Sequence, residues 1–125
     1  MKTIKEKRSA TLEVDKSKFI AIAVPLSDVD SFKTLHKELK NEHPKAKHIV
    51  YAYRVGNSSK SCDDQEPRGT AGHPILEFMF KKELNNLVIF VVRYFGGKKL
   101  GAGKLLRTYL QSAINVINDC ELEDI

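Results

Sequence analysis

One segment, residues 87–110 (LVIFVVRYFGGKKLGAGKLLRTYL), constrains the fold more than any other part of the chain. Its first six residues form an unbroken apolar run with the length and β-branched content of a buried strand. A loop containing four glycines follows. Apolar residues then recur at i, i+3 and i+4 from Leu105 to Ile117, which is typical of an amphipathic helix. The sequence therefore predicts a strand, a glycine loop and a helix in direct succession.

This arrangement is typical of anion-binding loops. Glycine lets a backbone approach a ligand closely, and the free N–H groups at a helix start favour negative charge. Every charged residue from Arg93 to Arg107 is cationic. We therefore expect phosphate binding here, although a tight turn with solvated lysines would leave the same pattern. The candidate phosphate-binding or nucleic-acid-binding residues are Arg93, Gly96, Gly97, Lys98, Lys99, Gly101, Gly103, Lys104 and Arg107.

Two familiar phosphate motifs do not fit the loop. A P-loop needs a glycine five positions before its Gly-Lys pair and Ser or Thr after it, but Lys98 and Leu105 occupy those positions around Gly103-Lys104. A dinucleotide fingerprint beginning at Gly101 would need glycine at position 106, which is Leu106. The loop belongs to neither class.

Length and composition predict one globular domain. A chain of 125 residues with 42% hydrophobic content is long enough for one core and too short for two ordinary ones. No apolar run approaches the roughly 20 residues of a membrane span, so we expect a soluble, cytoplasmic protein. Cys62 and Cys120 form no CxxC pair, so we expect both thiols to be reduced and no zinc site.

The positive charge is unevenly distributed. The net charge is +5, and residues 1–60 carry 13 Lys+Arg against 7 Asp+Glu, a balance of +6. Residues 61–125 carry 8 against 9, a balance of −1, although the glycine loop is locally basic. A basic face or groove suits a polyanionic partner, whereas scattered surface lysines serve only solubility.

Apolar patterns predict the elements before the glycine loop. Residues 9–14 and 19–24 predict two strands of a hairpin. Ser27 is the predicted N-cap of a helix with an apolar face between Val29 and Leu39. The β-rich run at 48–55 predicts a central strand.

Residues 56–125 are predicted to add a loop, two strands and a helix. Residues 56–72 have the composition of a long surface loop, and residues 73–80 predict a strand that pairs with 87–92. The last helix is expected to end near Asn118, and the acidic tail either finishes the domain or adds a strand. The order β-β-α-β-β-β-α predicts an α+β domain in two layers, with a mixed or antiparallel sheet and both helices on one face.

The predicted surface loop at 56–72 contains candidate metal ligands. Asp63, Asp64 and Glu66 offer carboxylate oxygens that suit Mg²⁺, which would serve phosphate chemistry beside a basic glycine loop. Acids in a polar loop are otherwise solvated, or paired with Arg68 or with the basic loop. Both interpretations stay open at this point.

Three further residues have side chains of types used in catalysis or metal binding. His48 and His73 are candidate acid–base groups or zinc ligands if they converge, and Cys62 with a histidine base is a candidate nucleophile. Unpatterned histidines are more often structural, and the sequence shows no proximity between these side chains.

Several short motifs stand out in the chain: the run DDQEPRGTAGHP from Asp63 to Pro74, then RYFGG from Arg93 and LGAG from Leu100, with KSKF at 16–19 and Tyr109 in support. Together these motifs resemble the Impact/YigZ family. The resemblance covers nearly the whole chain as that family's N-terminal domain and implies a fold like the second domain of ribosomal protein S5.

The same resemblance bears on domain organisation. Residues 1–125 are expected to form a single Impact N-terminal-type domain, without the ferredoxin-like C-terminal domain that bacterial members usually add. The chain is then either a one-domain member or a fragment. Gln65 stands where relatives usually have glycine, and Lys98 and Lys104 replace commonly neutral positions.

The resemblance implies a binding function, and it implies neither an enzymatic activity nor a cofactor. Eukaryotic relatives look like translation regulators that bind the co-activator of an amino-acid-starvation kinase, and bacterial relatives have been regarded as nucleic-acid or ribosome-associated binders. We therefore expect a non-enzymatic binding module of the translation or stress-response apparatus that contacts RNA or ribosome phosphates. The alternatives are a domain that binds a regulatory protein partner, and a Mg²⁺-dependent enzyme acting on a phosphorylated substrate.

Overall fold

The computed structural model describes all 125 residues, which form seven strands and three helices. In chain order these elements are β1 (Lys2–Ile4), β2 (Arg8–Val14), β3 (Ser17–Pro25), α1 (Val29–Glu42), β4 (His48–Val55), β5 (Ser58–Cys62), α2 (Gly72–Lys81), β6 (Leu87–Tyr94), α3 (Ala102–Asn118) and β7 (Leu122–Asp124).

The predicted apolar strand lies at the centre of the molecule. The main sheet has the order β2-β3-β6-β4-β5, and every neighbouring pair is antiparallel. β6 is buried from Leu87 to Arg93 because both of its faces are covered by helices. The two short strands β1 and β7 pair with each other in a separate small sheet.

Alternate residues of β6 face two different hydrophobic clusters, as the period of a strand requires. Leu87, Ile89 and Val91 pack with residues of α2 and α3. Val88, Phe90 and Val92 pack on the opposite face with Phe32 and Leu39 of α1. The helices therefore cover both faces of the sheet.

The α+β class with an antiparallel sheet is confirmed. The two predicted helices, α1 and α3, lie on opposite faces of the sheet instead of sharing one, and α2 shares the face of α3. The strand predicted at 73–80 is wrong, because this segment is α2. Its buried residues Ile75, Phe78 and Met79 follow helical spacing within a short apolar run that also suits a strand. β6 instead pairs with β3 and β4.

Smaller differences concern turns and edges. Part of the predicted long loop is the edge strand β5. The N-cap of α1 is Asp28, not Ser27, and its side chain accepts a hydrogen bond from the Ser31 amide at 2.6 Å. The β2–β3 turn needs only Asp15 and Lys16, with φ of 48° and 68°. The acidic tail adds β7. No helix is long and apolar enough to cross a membrane.

Candidate functional site

The glycine loop, residues 95–101, is fixed against the β2–β3 turn. The Gly96 amide donates to the buried Ser17 hydroxyl at 3.2 Å. A Cβ at position 96 would lie 2.1 Å from the carbonyl oxygen of Lys16, so no larger residue fits this contact. The loop is therefore anchored by a turn that lies far upstream in the sequence.

Two other glycines set the path of the loop into α3. Gly97 and Gly101 have φ of 91° and 81°, in the left-handed region that residues with a Cβ disfavour. Gly101 is the N-cap of α3, and the first turn has neither a side-chain cap nor an acidic residue. In that turn, a Cβ at Gly103 would meet only Arg107 Nη1, at 3.4 Å. The first N–H groups of α3 thus lack both an intrahelical acceptor and a side-chain cap.

A cleft of about 400 Å³ lies between this loop, the start of α3 and the start of β4. Lys47 and Lys99 contribute exposed ammonium groups to it, and the Phe95 side chain, 45% exposed, lines it beside them. The other lining residues are His48, Glu66, Pro67, Arg93, Leu100, Gly101, Ala102 and Leu105. The cleft therefore combines cations, one aromatic ring and a buried polar floor.

The polar floor is centred on Glu66. Its Oε2 accepts from Arg93 Nη1 at 2.7 Å and from the Tyr109 hydroxyl at 2.5 Å, and its Oε1 lies 3.2 Å from His48 Nε2. Burial, together with the Glu66 carboxylate, raises the pKa of Tyr109 well above its ordinary value, so the hydroxyl keeps its proton and donates. A carboxylate predicted to lie in a surface loop is thus buried inside the fold with three partners.

Arg93 contributes to the floor. Its guanidinium pairs with Glu66, donates from Nη2 to Ser17 Oγ at 3.3 Å, and has its Cζ 5.3 Å and 5.6 Å from the ring centres of Phe19 and Phe95. Arg93 Nε is the only buried side-chain nitrogen or oxygen that has no hydrogen-bond partner. Arg93, a candidate phosphate contact, is only 5% exposed, and its guanidinium already binds Glu66 and Ser17.

His48 faces hydrogen-bond acceptors through both of its ring nitrogens. Nδ1 lies 2.6 Å from the Asp64 carbonyl oxygen, and Nε2 lies 3.2 Å from the Glu66 carboxylate. These two contacts hold the imidazole ring between the loop before α2 and the Glu66 carboxylate.

The three candidate metal ligands point to different partners. The Asp63 carboxylate accepts from the amides of Gly69, Ala71 and Gly72 at 2.8–3.1 Å, and so closes its loop and caps α2. The Asp64 carboxylate accepts from the Ile49 amide at 2.6 Å. With Glu66 turned to Arg93, no group of three acidic, histidine or cysteine side chains could hold a metal ion anywhere in the fold.

An acidic residue reaches the basic loop from another part of the chain. Asp15, in the β2–β3 turn, lies 2.7 Å from Lys104 Nζ and 3.9 Å from Lys98 Nζ. The hydrogen bond from Lys104 lowers the pKa of Asp15, so this carboxylate stays charged at neutral pH. Lys99 and Arg107 are exposed and form no ion pair.

The remaining candidates do not converge on the cleft. His73 pairs with Glu77 one turn along α2, with Nε2 and Oε1 2.5 Å apart on the exposed helix surface. Cys62 lines a second cleft, of about 420 Å³, on the α1 side of the sheet, where the histidines are His36 and His43. The Cys62 nucleophile is therefore not placed beside His48 or His73.

Sequence analysis did not identify three residues of the site as functional: Lys47, Phe95 and Tyr109. Tyr109 lies within the apolar pattern of α3, and this pattern gives no sign that its hydroxyl binds Glu66. Phe95 carried a signal, since an aromatic residue in a glycine loop continues no strand or helix period. Lys47 carried none, because only the β4–β6 pairing brings it to the cleft.

Fold and site together define an α+β domain with a cleft at one end of its sheet, in which cations surround a buried Glu66–Arg93 pair. The model of the Impact N-terminal domain matches residues 15–117, which include the whole cleft. The chain belongs to the Impact family.

Individual relatives agree. The chain is 38% identical over 119 residues to the IMPACT family member YvyE of Bacillus subtilis, covering 93% of this chain and 55% of YvyE. A crystal structure of a hypothetical protein superposes with a TM-score of 0.93 at 28% identity, over 98% of this chain and 62% of that one. The chain spans about half the length of the curated relatives it matches.

A more distant structure shares the fold. It is that of the two-domain translational regulator Yih1, with a TM-score of 0.52 at 21% identity, and it covers 92% of this chain and 46% of that one. At this identity the likeness concerns the fold alone.

Proposed function

We propose that this Impact-family domain is a non-enzymatic binding module of the translation apparatus, and that it contacts RNA or ribosome phosphates through the cleft and the start of α3. Lys47, Lys99 and Arg107 supply the free cations, and the first amides of α3 supply uncharged donors. Lys98 and Lys104 join them when they leave Asp15. Arg93 supports the site from below, because its guanidinium is committed to Glu66.

One observation carries this proposal: the start of α3 is uncapped, and the charged side chains surrounding it are mainly basic. The N-cap is Gly101, the first turn has no acidic residue, and Lys99 and Lys104 flank it. A helix start in water is ordinarily stabilised by a side-chain acceptor or an acidic residue, and here neither is present. Such a terminus suits an anion, and the nearby lysines add Coulomb attraction.

The translation part of the proposal rests on the family and on one structural relative. Yih1 is described as a translational regulator, and it shares the fold. The basic cleft fits this setting, since the ribosome and its RNA present dense phosphate. A role in the stress response extends the same proposal to the conditions under which translation is regulated.

A salt titration tests the proposal. The protein is titrated into a fluorescently labelled single-stranded RNA, and anisotropy is followed at several salt concentrations. We expect the affinity to fall linearly on a log–log plot, because phosphate contacts release counterions. No binding at low salt would contradict the phosphate function.

A pull-down from lysate with and without RNase then tests the main alternative. We expect ribosomal components to be lost after RNase treatment. A partner retained after RNase, together with a flat salt dependence, would instead favour a domain that binds a regulatory protein.

A further inference from the structure

We infer that the cleft holds one nucleotide of a single-stranded RNA, with its base stacked on Phe95 and its phosphate beside Lys99. The inference rests on the proposed function and adds to it the ligand form and an aromatic contact. It predicts that the domain distinguishes base-bearing single strands from duplexes and from strands without bases.

The first argument is the position of Phe95. Only two aromatic side chains are strongly exposed, Phe80 at 49% and Phe95 at 45%. Phe80 carries the Arg54 guanidinium over its ring, with Cζ 4.1 Å from the ring centre, whereas Arg93 Cζ lies farther from the Phe95 ring centre, at 5.6 Å. Phe95 lines the cleft beside cations, which is the pairing of an aromatic ring with positive charge that single-strand binders use.

The second argument is the floor of the cleft. Arg93 is 5% exposed and lines the cleft, yet its Nε has no acceptor. His48 and Glu66, which lie beside it, are already bound to each other and to other protein groups, so Arg93 Nε is the open donor of the floor. Buried polar groups of this kind fix the orientation of a ligand in sites that are otherwise apolar. Polar edges of a base or a ribose hydroxyl are suitable partners.

The third argument is size and surrounding charge. The volume of about 400 Å³ falls within the range of small-ligand sites and suits one nucleotide. A duplex keeps its bases stacked on each other, so it offers no free base face to Phe95. Exposed cations continue past the cleft at Lys98, Lys104 and Arg107, where the phosphates of neighbouring nucleotides would lie. A strand therefore uses more of this surface than a free nucleotide does.

The test compares Phe95→Leu and Phe95→Tyr with the wild type on two labelled probes: an oligouridylate of about ten nucleotides and an abasic strand of equal length. The abasic strand keeps the phosphates and lacks the bases. Phe80→Leu is the matched control, because it removes an equally exposed aromatic ring away from the cleft. Melting curves establish that all variants are folded.

We expect Phe95→Leu to weaken oligouridylate binding by roughly 5- to 100-fold, the usual effect of removing one stacked aromatic side chain. The salt slope should not change, because no cation is removed. Phe95→Tyr and Phe80→Leu should bind like the wild type. On the abasic strand, Phe95→Leu and the wild type should bind equally, and a duplex RNA should compete poorly.

Different failures have different meanings. If the wild type binds neither strand, the proposed phosphate function fails, and this inference fails with it. If the wild type binds both strands and Phe95→Leu binds oligouridylate equally well, the stacking inference is overturned while phosphate binding stands. If free uridine monophosphate binds as tightly as the oligouridylate, a free nucleotide is the ligand and the assignment to a strand is wrong.

Discussion

Glu66 and Arg93 form a buried ion pair, with Oε2 and Nη1 2.7 Å apart and side chains only 4% and 6% exposed. It joins the loop before α2 to the central strand, and the Tyr109 hydroxyl connects α3 to the same carboxylate. Removing one partner of such a pair leaves a charge buried without compensation. The pair therefore fixes the floor of the cleft relative to the sheet.

Glu66→Gln should lower the free energy of unfolding by about 3 kcal/mol, since breaking a buried pair leaves the Arg93 guanidinium without a counter-charge. Urea denaturation measures the change. Glu77→Gln is the control, because it breaks an exposed pair with His73 and should alter stability by about 0–1 kcal/mol. Equal stability of Glu66→Gln and wild type would show that the pair has no structural role.

Gly96→Ala should destabilise the fold, because its Cβ would lie 2.1 Å from the Lys16 carbonyl oxygen and the loop would have to leave the β2–β3 turn. Gly103→Ala is the control in the same segment. Its nearest neighbour is the flexible Arg107 side chain at 3.4 Å, and alanine favours a helix by up to about 1 kcal/mol over glycine. Thermal melting should therefore rank Gly103→Ala at or above wild type and Gly96→Ala well below it. The reverse order would contradict the tight contact.

The loop before α2 shows why part of the fold was not predictable. The mostly apolar segment from Ile75 to Phe80 suits either a strand or a helix, and local sequence supplies no cap at Ala71. The cap comes from Asp63, whose carboxylate accepts from the Ala71 and Gly72 amides. A remote cap has no local signature. β6 was predicted because its apolar run is rich in β-branched residues, and α3 because its apolar residues recur at helical spacing over several turns.

The candidate site, like the fold, was predictable only where its features depend on residues adjacent in sequence. The uncapped start of α3 and the positive φ of Gly97 and Gly101 follow from residues adjacent in sequence. The counter-charge of Asp15 and the burial of Glu66 depend on pairings between distant segments. Sequence patterns describe neighbours along one element and carry no signal for such contacts.

Mg²⁺ at millimolar concentration should leave the melting temperature unchanged. A ligand that binds only the native state stabilises it by mass action, and the Asp63 and Glu66 carboxylates are occupied by backbone amides and by Arg93. Differential scanning fluorimetry with and without Mg²⁺ checks this, with Ca²⁺ for comparison. A rise with Mg²⁺ that disappears in Asp64→Asn would restore the hypothesis of a metal site in this loop.

Asp15→Asn should tighten RNA binding, because it releases Lys98 and Lys104 from their ion pairs. Since Lys104 lowers the pKa of Asp15, the wild-type carboxylate stays ionised and the gain should be equal between about pH 6 and pH 8. Anisotropy titrations of both proteins measure it. Asp30→Asn, which removes an exposed partner of Lys33 on α1, is the control and should have no comparable effect. Weaker binding by Asp15→Asn would show that the turn itself contacts the ligand.

The central claim is that RNA phosphate binds at the start of α3, and a comparison of two triple variants tests it most directly. One replaces Lys98, Lys99 and Lys104 by alanine, and the other replaces Lys33, Lys37 and Lys40 on the exposed side of α1. Both lower the net charge equally. In a salt titration with single-stranded RNA, the first should bind more weakly and lose roughly 2 from the log–log slope, about 0.7 per cation, while the second stays close to wild type. Equal slopes and affinities in the two variants would contradict the claim.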